Sequence, residues 1–174
     1  EWRSCRFCGR GTNLWIGTST GLNLHKDGKT VRFTTAEGLA GNQVRAMLQD
    51  HENALWIGTS EGLSRMKEGR FENYGPNNGL VHKNVLALTE DKEHNLWIGT
   101  VGGLNRYRKG VFKGYTTADG LFADELLGIL EDGHDNMWMS SRKGIFRIKK
   151  KDMDAFDGGA LARIPYISYG KPDG

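Results

Sequence analysis

The first residues able to do chemistry are Cys5 and Cys8, in Cys5-Arg6-Phe7-Cys8. A zinc site built on such a pair needs a second pair of ligands at suitable spacing. The five histidines, His25, His51, His82, His94 and His134, are scattered and form no His-x-x-x-His. On a strand the two thiols would face opposite sides, because three positions separate them. An incidental thiol pair is expected, with no metal site and no cofactor. Asp50, Asp91 and Asp132 could be read as catalytic carboxylates. They recur every 41 residues, which points instead to turns, where an Asp side chain bonds nearby backbone. Asp132-Gly133-His134-Asp135-Asn136 is the richest in oxygens but lacks the pattern of a calcium loop. Lys149-Lys150-Lys151 is followed at once by Asp152 and Asp154, and reads as a solvated rim. There is no Ser/Cys–His–Asp arrangement and no Gly-x-x-x-x-Gly-Lys-Ser/Thr phosphate loop. The expectation is a protein that is not an enzyme.

The scaffold for these residues follows from composition and repetition. Of 174 residues, 25 are Gly and only 3 are Pro. Gly is therefore about twice its usual share of roughly 7%, without the Pro excess of a disordered linker. Hydrophobic residues make up 37% and aromatics 10%, enough to fill a core. A net charge of +3, from 24 basic and 21 acidic residues, is near balance and argues against nucleic acid as the partner. No stretch approaches the roughly 20 apolar residues of a membrane span. The first residues carry no apolar run, so no signal peptide is expected. The chain starts without Met and reads as a piece of something longer.

Trp15, Trp56, Trp97 and Trp138 are spaced 41, 41 and 41. Each lies in one pentamer: Leu-Trp-Ile-Gly-Thr at 14–18, 55–59 and 96–100, and Met-Trp-Met-Ser-Ser at 137–141. Gly21, Gly62, Gly103 and Gly144 keep the period, as do Gly38-Leu39, Gly79-Leu80 and Gly120-Leu121. Each unit reads as four short strands. An apolar run (44–48, 85–89, 126–130) ends at the Asp turn. The pentamer is the second strand, and the third opens at the repeated Gly. A tight turn, Asp27-Gly28, Glu68-Gly69 or Lys109-Gly110, leads to a fourth strand carrying Phe33, Tyr74 or Tyr115. Four strands in about 40 residues, with one aromatic motif per unit, describe β-propeller blades. The small Ala46, Ala87 and Gly128 place the first strand innermost, and the tryptophans are expected to wedge between blades rather than stack on a sugar.

The predicted fold is all-β: a propeller segment of four four-stranded antiparallel blades on a 41-residue repeat. The blades are expected at 1–35, 36–76, 77–117 and 118–174, all in one domain fragment. Counting back 41 sets Arg3, Cys5 and Phe7 opposite Val44, Ala46 and Leu48, so the first strand of blade 1 is degraded. Blade 4 carries a 13-residue insertion near 149–163, including a short helix ended by Gly158-Gly159 on the outer rim. Propellers close with about 4 to 8 blades. An open arc of a larger propeller is expected, its two apolar end faces able to associate.

Asn95-Leu96-Trp97-Ile98-Gly99-Thr100, Gly103-Leu104-Asn105-Arg106, Tyr115-Thr116-Thr117 and Asp119-Gly120-Leu121 resemble the two-component regulator propeller repeat. The resemblance covers roughly residues 12–148, with an echo at Ser168-Tyr169-Gly170 and Asp173-Gly174. It implies an extracytoplasmic (periplasmic) bacterial ligand sensor, joined in the parent protein to further blades and to a histidine kinase or diguanylate cyclase output domain. A protein-interaction scaffold is the alternative. Streptogramin-lyase-like propeller enzymes share only the repeat, and no His/Glu catalytic pair maps onto this chain.

Positions identical in every blade serve the fold, whereas positions that vary are free to serve a ligand. Two variable loops should share one face: 40–43, 81–84 and 122–125 before the innermost strands, and 19–20, 60–61, 101–102 and 142–143 between strands two and three. Their polar candidates are Gln43, Arg45, Glu61, Lys83, Asn84, Asp124, Glu125 and Arg142, for a small-molecule or glycan-like ligand.

Overall fold

The computed structural model describes residues 6–10 and 13–170, with backbone alone for 6–10. Blade 1 is β1 (Arg6–Arg10), β2 (Asn13–Thr18), β3 (Gly21–Lys26) and β4 (Lys29–Phe33). Blade 2 is β5 (Val44–Gln49), β6 (Leu55–Thr59), β7 (Leu63–Lys67) and β8 (Arg70–Tyr74). Blade 3 is β9 (Val85–Glu90), β10 (Leu96–Thr100), β11 (Leu104–Arg108) and β12 (Val111–Tyr115). Blade 4 is β13 (Gly128–Glu131), β14 (Asn136–Ser141), β15 (Gly144–Lys149) and, after helix α1 (Lys150–Asp157), β16 (Ile167–Tyr169). Each blade is one antiparallel sheet with its strands in chain order.

The first strands β1, β5, β9 and β13 touch one another from blade to blade, which makes them innermost. Ala46 and Ala87 are buried there. The pentamer glycine allows the blades to close up: a Cβ at Gly58 would sit 2.5 Å from Val85 Cγ1 of the next blade. Two of the three Gly-Leu loops are single helical turns, ended by Gly38 (φ 104°) and Gly79 (φ 101°), a left-handed backbone that favours glycine.

The core lies between blades rather than within them. Leu22, Leu39, Val44, Leu55 and Ile57 fill the first interface. Trp56, Leu63, Leu80, Val85, Leu96 and Ile98 fill the second. Trp97, Leu104, Tyr115, Leu126, Met137 and Phe146 lead the third. Each fully buried Leu or Ile contributes about 1.5–3 kcal/mol, so a blade draws most of its stability from its neighbours. At the two ends that neighbour is missing. Leu14, equivalent to the buried Leu55 and Leu96, is 37% exposed, and Ile145, equivalent to the buried Leu63 and Leu104, is 49% exposed. The four sheets form an open arc, as expected.

Three expectations need correction. Cys8 pairs with Trp15 where Leu48 pairs with Trp56, so the count-back slips by one residue in β1. The cause is a shorter connection: Arg10 pairs with Asn13, whereas Gln49 pairs with Leu55 across the Asp turn. Arg3, Cys5, the side chain of Cys8 and the Asp173-Gly174 echo lie outside the described residues. In blade 4 the first strand begins at Gly128 rather than Leu126. Leu126 N and Leu127 N donate instead to Thr100 O and Ser140 O. Finally, α1 forms where expected, between the third and fourth strands, but it is not a solvated rim. Met153 is fully buried in the third interface, and Lys150 is 5% exposed, so the middle lysine of the basic run is a core cation.

Candidate functional site

The repeated polar residues make the same hydrogen bonds in blades 2, 3 and 4. Asp50 Oδ2 accepts from Trp56 Nε1 at 2.8 Å, Asp91 Oδ2 from Trp97 Nε1 at 2.8 Å, and Asp132 Oδ2 from Trp138 Nε1 at 2.8 Å. The other oxygen accepts the backbone N–H four residues on, from Ala54, Asn95 or Asn136. Each Asp closes its turn and holds the wedge tryptophan. Arg65, Arg106 and Arg147 lie over the same rings, at 5.4, 5.4 and 5.7 Å from the centroids. Thr59 and Thr100 each donate to a glycine carbonyl, Gly62 O or Gly103 O, at 2.8 Å.

These groups predict a pH profile. Burial opposes the charge on Asp91, but hydrogen bonds from Asn95 and Trp97 and the nearby Lys150 prevail and hold it below 3.8. Bonds from Trp138 and Asn136 depress Asp132 strongly. A depressed carboxylate contributes stability above its unfolded pKa and loses it as the pH falls. Burial and a bond to Glu72 push Tyr74 from 10.0 up to about 12. Burial and donation to Asp157 raise Tyr115 as well. A raised phenol contributes stability below its unfolded pKa of about 10 and loses it as the pH climbs further. Urea midpoints should be level from about pH 5 to 9 and fall on both sides. A midpoint unchanged on going well below pH 4 contradicts the assigned role of the aspartates.

The two variable loops do share one face. Ser60 N donates to Gln43 O, and Val101 N donates to Asn84 O, each at 3.1 Å. On this face Gln43 Oε1 accepts from Arg45 at 2.9 Å, and Lys83 meets Glu61 of the preceding blade at 2.7 Å. Arg142 Nε donates to Glu125 at 2.5 Å. Asp124 is a brace, accepting from Thr117 N at 2.7 Å and Thr117 Oγ1 at 2.9 Å. Asn84 Oδ1 and Arg45 Nε are buried without a partner among the described residues. A cleft of about 710 Å³ between blades 3 and 4 gathers Asp124, Glu125 and Arg142. It also takes in Phe122, Lys143 and Arg163, which sequence reasoning did not single out. Arg163 comes from the insertion, and its N–H donates to Thr117 O at 3.1 Å.

A second cleft, of about 320 Å³, opens on the opposite face, at the Asp turns of blades 2 and 3 and the Lys109-Gly110 hairpin of blade 3. The histidines there are not scattered: the rings of His51 and His94 stack at 3.8 Å beside Glu90. The same test of variability, applied to the Asp turns, would have found them. Position 51 reads His, Lys, Gly and position 94 reads Asn, His, Asp across blades 2 to 4.

The family model for the two-component regulator propeller matches residues 38–61 and 79–102. The two matched stretches, one in blade 2 and one in blade 3, are similar to that repeat. No curated protein matches it. Among solved structures, it is similar to the extracellular domain of BT3049, assigned as a hybrid two-component system of B. thetaiotaomicron. Identity is 20% over 95% of this chain and 23% of that one, with a TM-score of 0.79. The extracellular domain of BT4673 from the same organism is 23% identical over 80% of this chain and 22% of that one, with a TM-score of 0.68. Virginiamycin B lyase from Staphylococcus aureus is 13% identical over 96% of this chain and 55% of that one, with a TM-score of 0.67. At these identities the likeness establishes a shared propeller fold. The chain spans about a quarter of the two extracellular domains it resembles. No helix among the described residues is long and apolar enough to cross a membrane.

Proposed function

We propose that this chain is a non-enzymatic segment of an extracytoplasmic sensor propeller. It binds a small, polar or glycan-like ligand on the loop face and passes the signal to a separate output domain. The observation that carries the reading is the cleft between blades 3 and 4. Three cations, Arg142, Lys143 and Arg163, line it beside the aromatic Phe122, so a ligand with a carboxylate or similar anion suits it. Glu125 is the counter-charge that Arg142 would exchange for such a ligand. The regulator propeller repeats and the extracellular domains of similar fold support the sensor role and its place outside the cytoplasm. A protein-interaction scaffold is the second reading, favoured by the exposed end faces at Leu14 and Ile145.

Calorimetric titration with acidic oligosaccharides tests the first reading. Arg142→Ala combined with Arg163→Ala should weaken binding at least about tenfold, the loss of one to two charge-assisted contacts. Binding that survives both substitutions moves the site elsewhere.

A further inference from the structure

Glu90 ends β9, and Glu131, one repeat later, ends β13. Both carboxylates are latched to the preceding blade in the same way. His51 N donates to Glu90 Oε2 at 3.0 Å, and Lys92 N donates to Glu131 Oε2 at 2.9 Å. At the later interface the remaining oxygen holds a cation, with Lys150 Nζ at 2.5 Å from Glu131 Oε1. That ammonium also lies 3.3 Å from Glu93 and 3.6 Å from Asp91.

At the earlier interface no Lys or Arg pairs with Glu90 among the described residues. The neighbouring Glu52 is engaged by Arg65 at 3.2 Å and Lys67 at 2.8 Å. Instead, two imidazoles converge on Glu90 Oε1: His51 Nδ1 in direct contact and His94 Nδ1 at 3.6 Å. The candidate ligand atoms of the three residues lie within 4.8 Å of one another. Neither His is demanded by the fold, since the equivalent positions carry Lys92 and Gly133, or Asn53 and Asp135.

Two imidazole nitrogens and one carboxylate oxygen are a ligand set for a borderline divalent ion. We infer that His51, Glu90 and His94 bind one zinc-type divalent transition-metal ion. It takes the place that the Lys150 ammonium fills one interface later. Nδ1 of each His and Oε1 of Glu90 are the ligand atoms. The bond from His51 N to Oε2 orients the carboxylate from behind, as outer partners of metal ligands do. Tetrahedral ligands lie roughly 3.3–3.5 Å apart around zinc. Zinc requires His51 Nδ1 and Glu90 Oε1 to part from direct contact to that spacing, and the exposed His94 to turn toward them. The fourth position opens on the cleft beside Arg65 and Tyr107. The ion clasps blades 2 and 3, and this site lies on the face opposite the proposed ligand cleft.

The test is a zinc titration of metal-stripped protein carrying Cys5→Ser and Cys8→Ser, which removes competing thiols. Calorimetry should find one zinc per chain at about pH 7.5, with uptake weakening in acid because protons compete with the metal for its ligands. His94→Asn should weaken binding at least about tenfold. It preserves the turn, because Asn53 holds the same left-handed backbone (φ 64° against 63°). Glu90→Gln should weaken binding comparably, and His25→Asn, outside the cluster, should leave it unchanged. Bound cobalt should give a visible spectrum that His94→Asn abolishes. No zinc uptake at neutral pH, or uptake indifferent to both His94→Asn and Glu90→Gln, overturns the assignment.

Discussion

Replacing Asp91 by alanine is expected to cost about 3–5 kcal/mol of folding stability, the range for breaking a buried charge network by removing one partner. Asp91 is 3% exposed. Its carboxylate accepts from Trp97 Nε1 at 2.8 Å, Glu93 N at 2.9 Å, and Asn95 N at 2.9 Å. Asn95 Nδ2 donates to it as well, and Lys150 Nζ stands 3.6 Å away. Alanine leaves an indole N–H, an amide and two backbone donors without their acceptor, and those of Trp97 and Asn95 belong to buried residues. It also strips one counter-charge from a buried ammonium. Asp91→Asn keeps one acceptor oxygen but sets an NH2 group against these donors, so a loss of about half that size is expected. Urea unfolding with an unchanged m-value reads both numbers. A loss below about 1 kcal/mol for Asp91→Ala would mean that the turn, and not the carboxylate, positions the tryptophan.

Trp97→Ala is expected to cost about 3–5 kcal/mol, as large core truncations do. Trp138→Ala should cost no more than half as much, although the two residues share a motif, an Asp partner and a cation over the ring. The difference is the neighbour. Trp97 is fully buried against blade 4, in a cluster with Met137, Met139 and Phe146. Trp138 is only partly buried, stacking on Tyr169 at 5.2 Å beside the exposed Leu130 and Ile145. Denaturation of the two variants side by side measures the contrast. Equal losses would show that something covers the outer face of blade 4 in solution.

Much of this architecture is legible in the chain because the period is exact. Strand order, hairpin positions and the open arc follow from alternating runs punctuated by Gly, since turns and close approaches restrict residue type locally. The loop face follows from the same logic, because antiparallel strands in chain order send alternate loops to opposite ends. Where the period breaks, the reading weakens. Nothing in Lys149-Lys150-Lys151 marks Lys150 as the one whose ammonium meets Glu131. That depends on α1 folding back onto blade 3, where Arg106 pairs with Asp154 at 2.7 Å. Asp124 reads as a ligand candidate because it varies, yet its carboxylate braces Thr117.

The clearest division runs through the metal-ligand cluster. The repeat specifies each Asp turn, and with it the backbone at positions 51 and 94, because local hydrogen bonding confines the chain to one short-range geometry. The meeting of His51 and His94 belongs to a different scale. They are 43 residues apart in the sequence, and their rings meet at 3.8 Å only because blade 3 packs on blade 2. Burial of Trp56, Leu80, Val85 and Ile98 drives that packing. Local geometry thus makes the blade legible from residue types. Proximity between blades comes from apolar area removed from water, a sum over distant residues that no single segment displays.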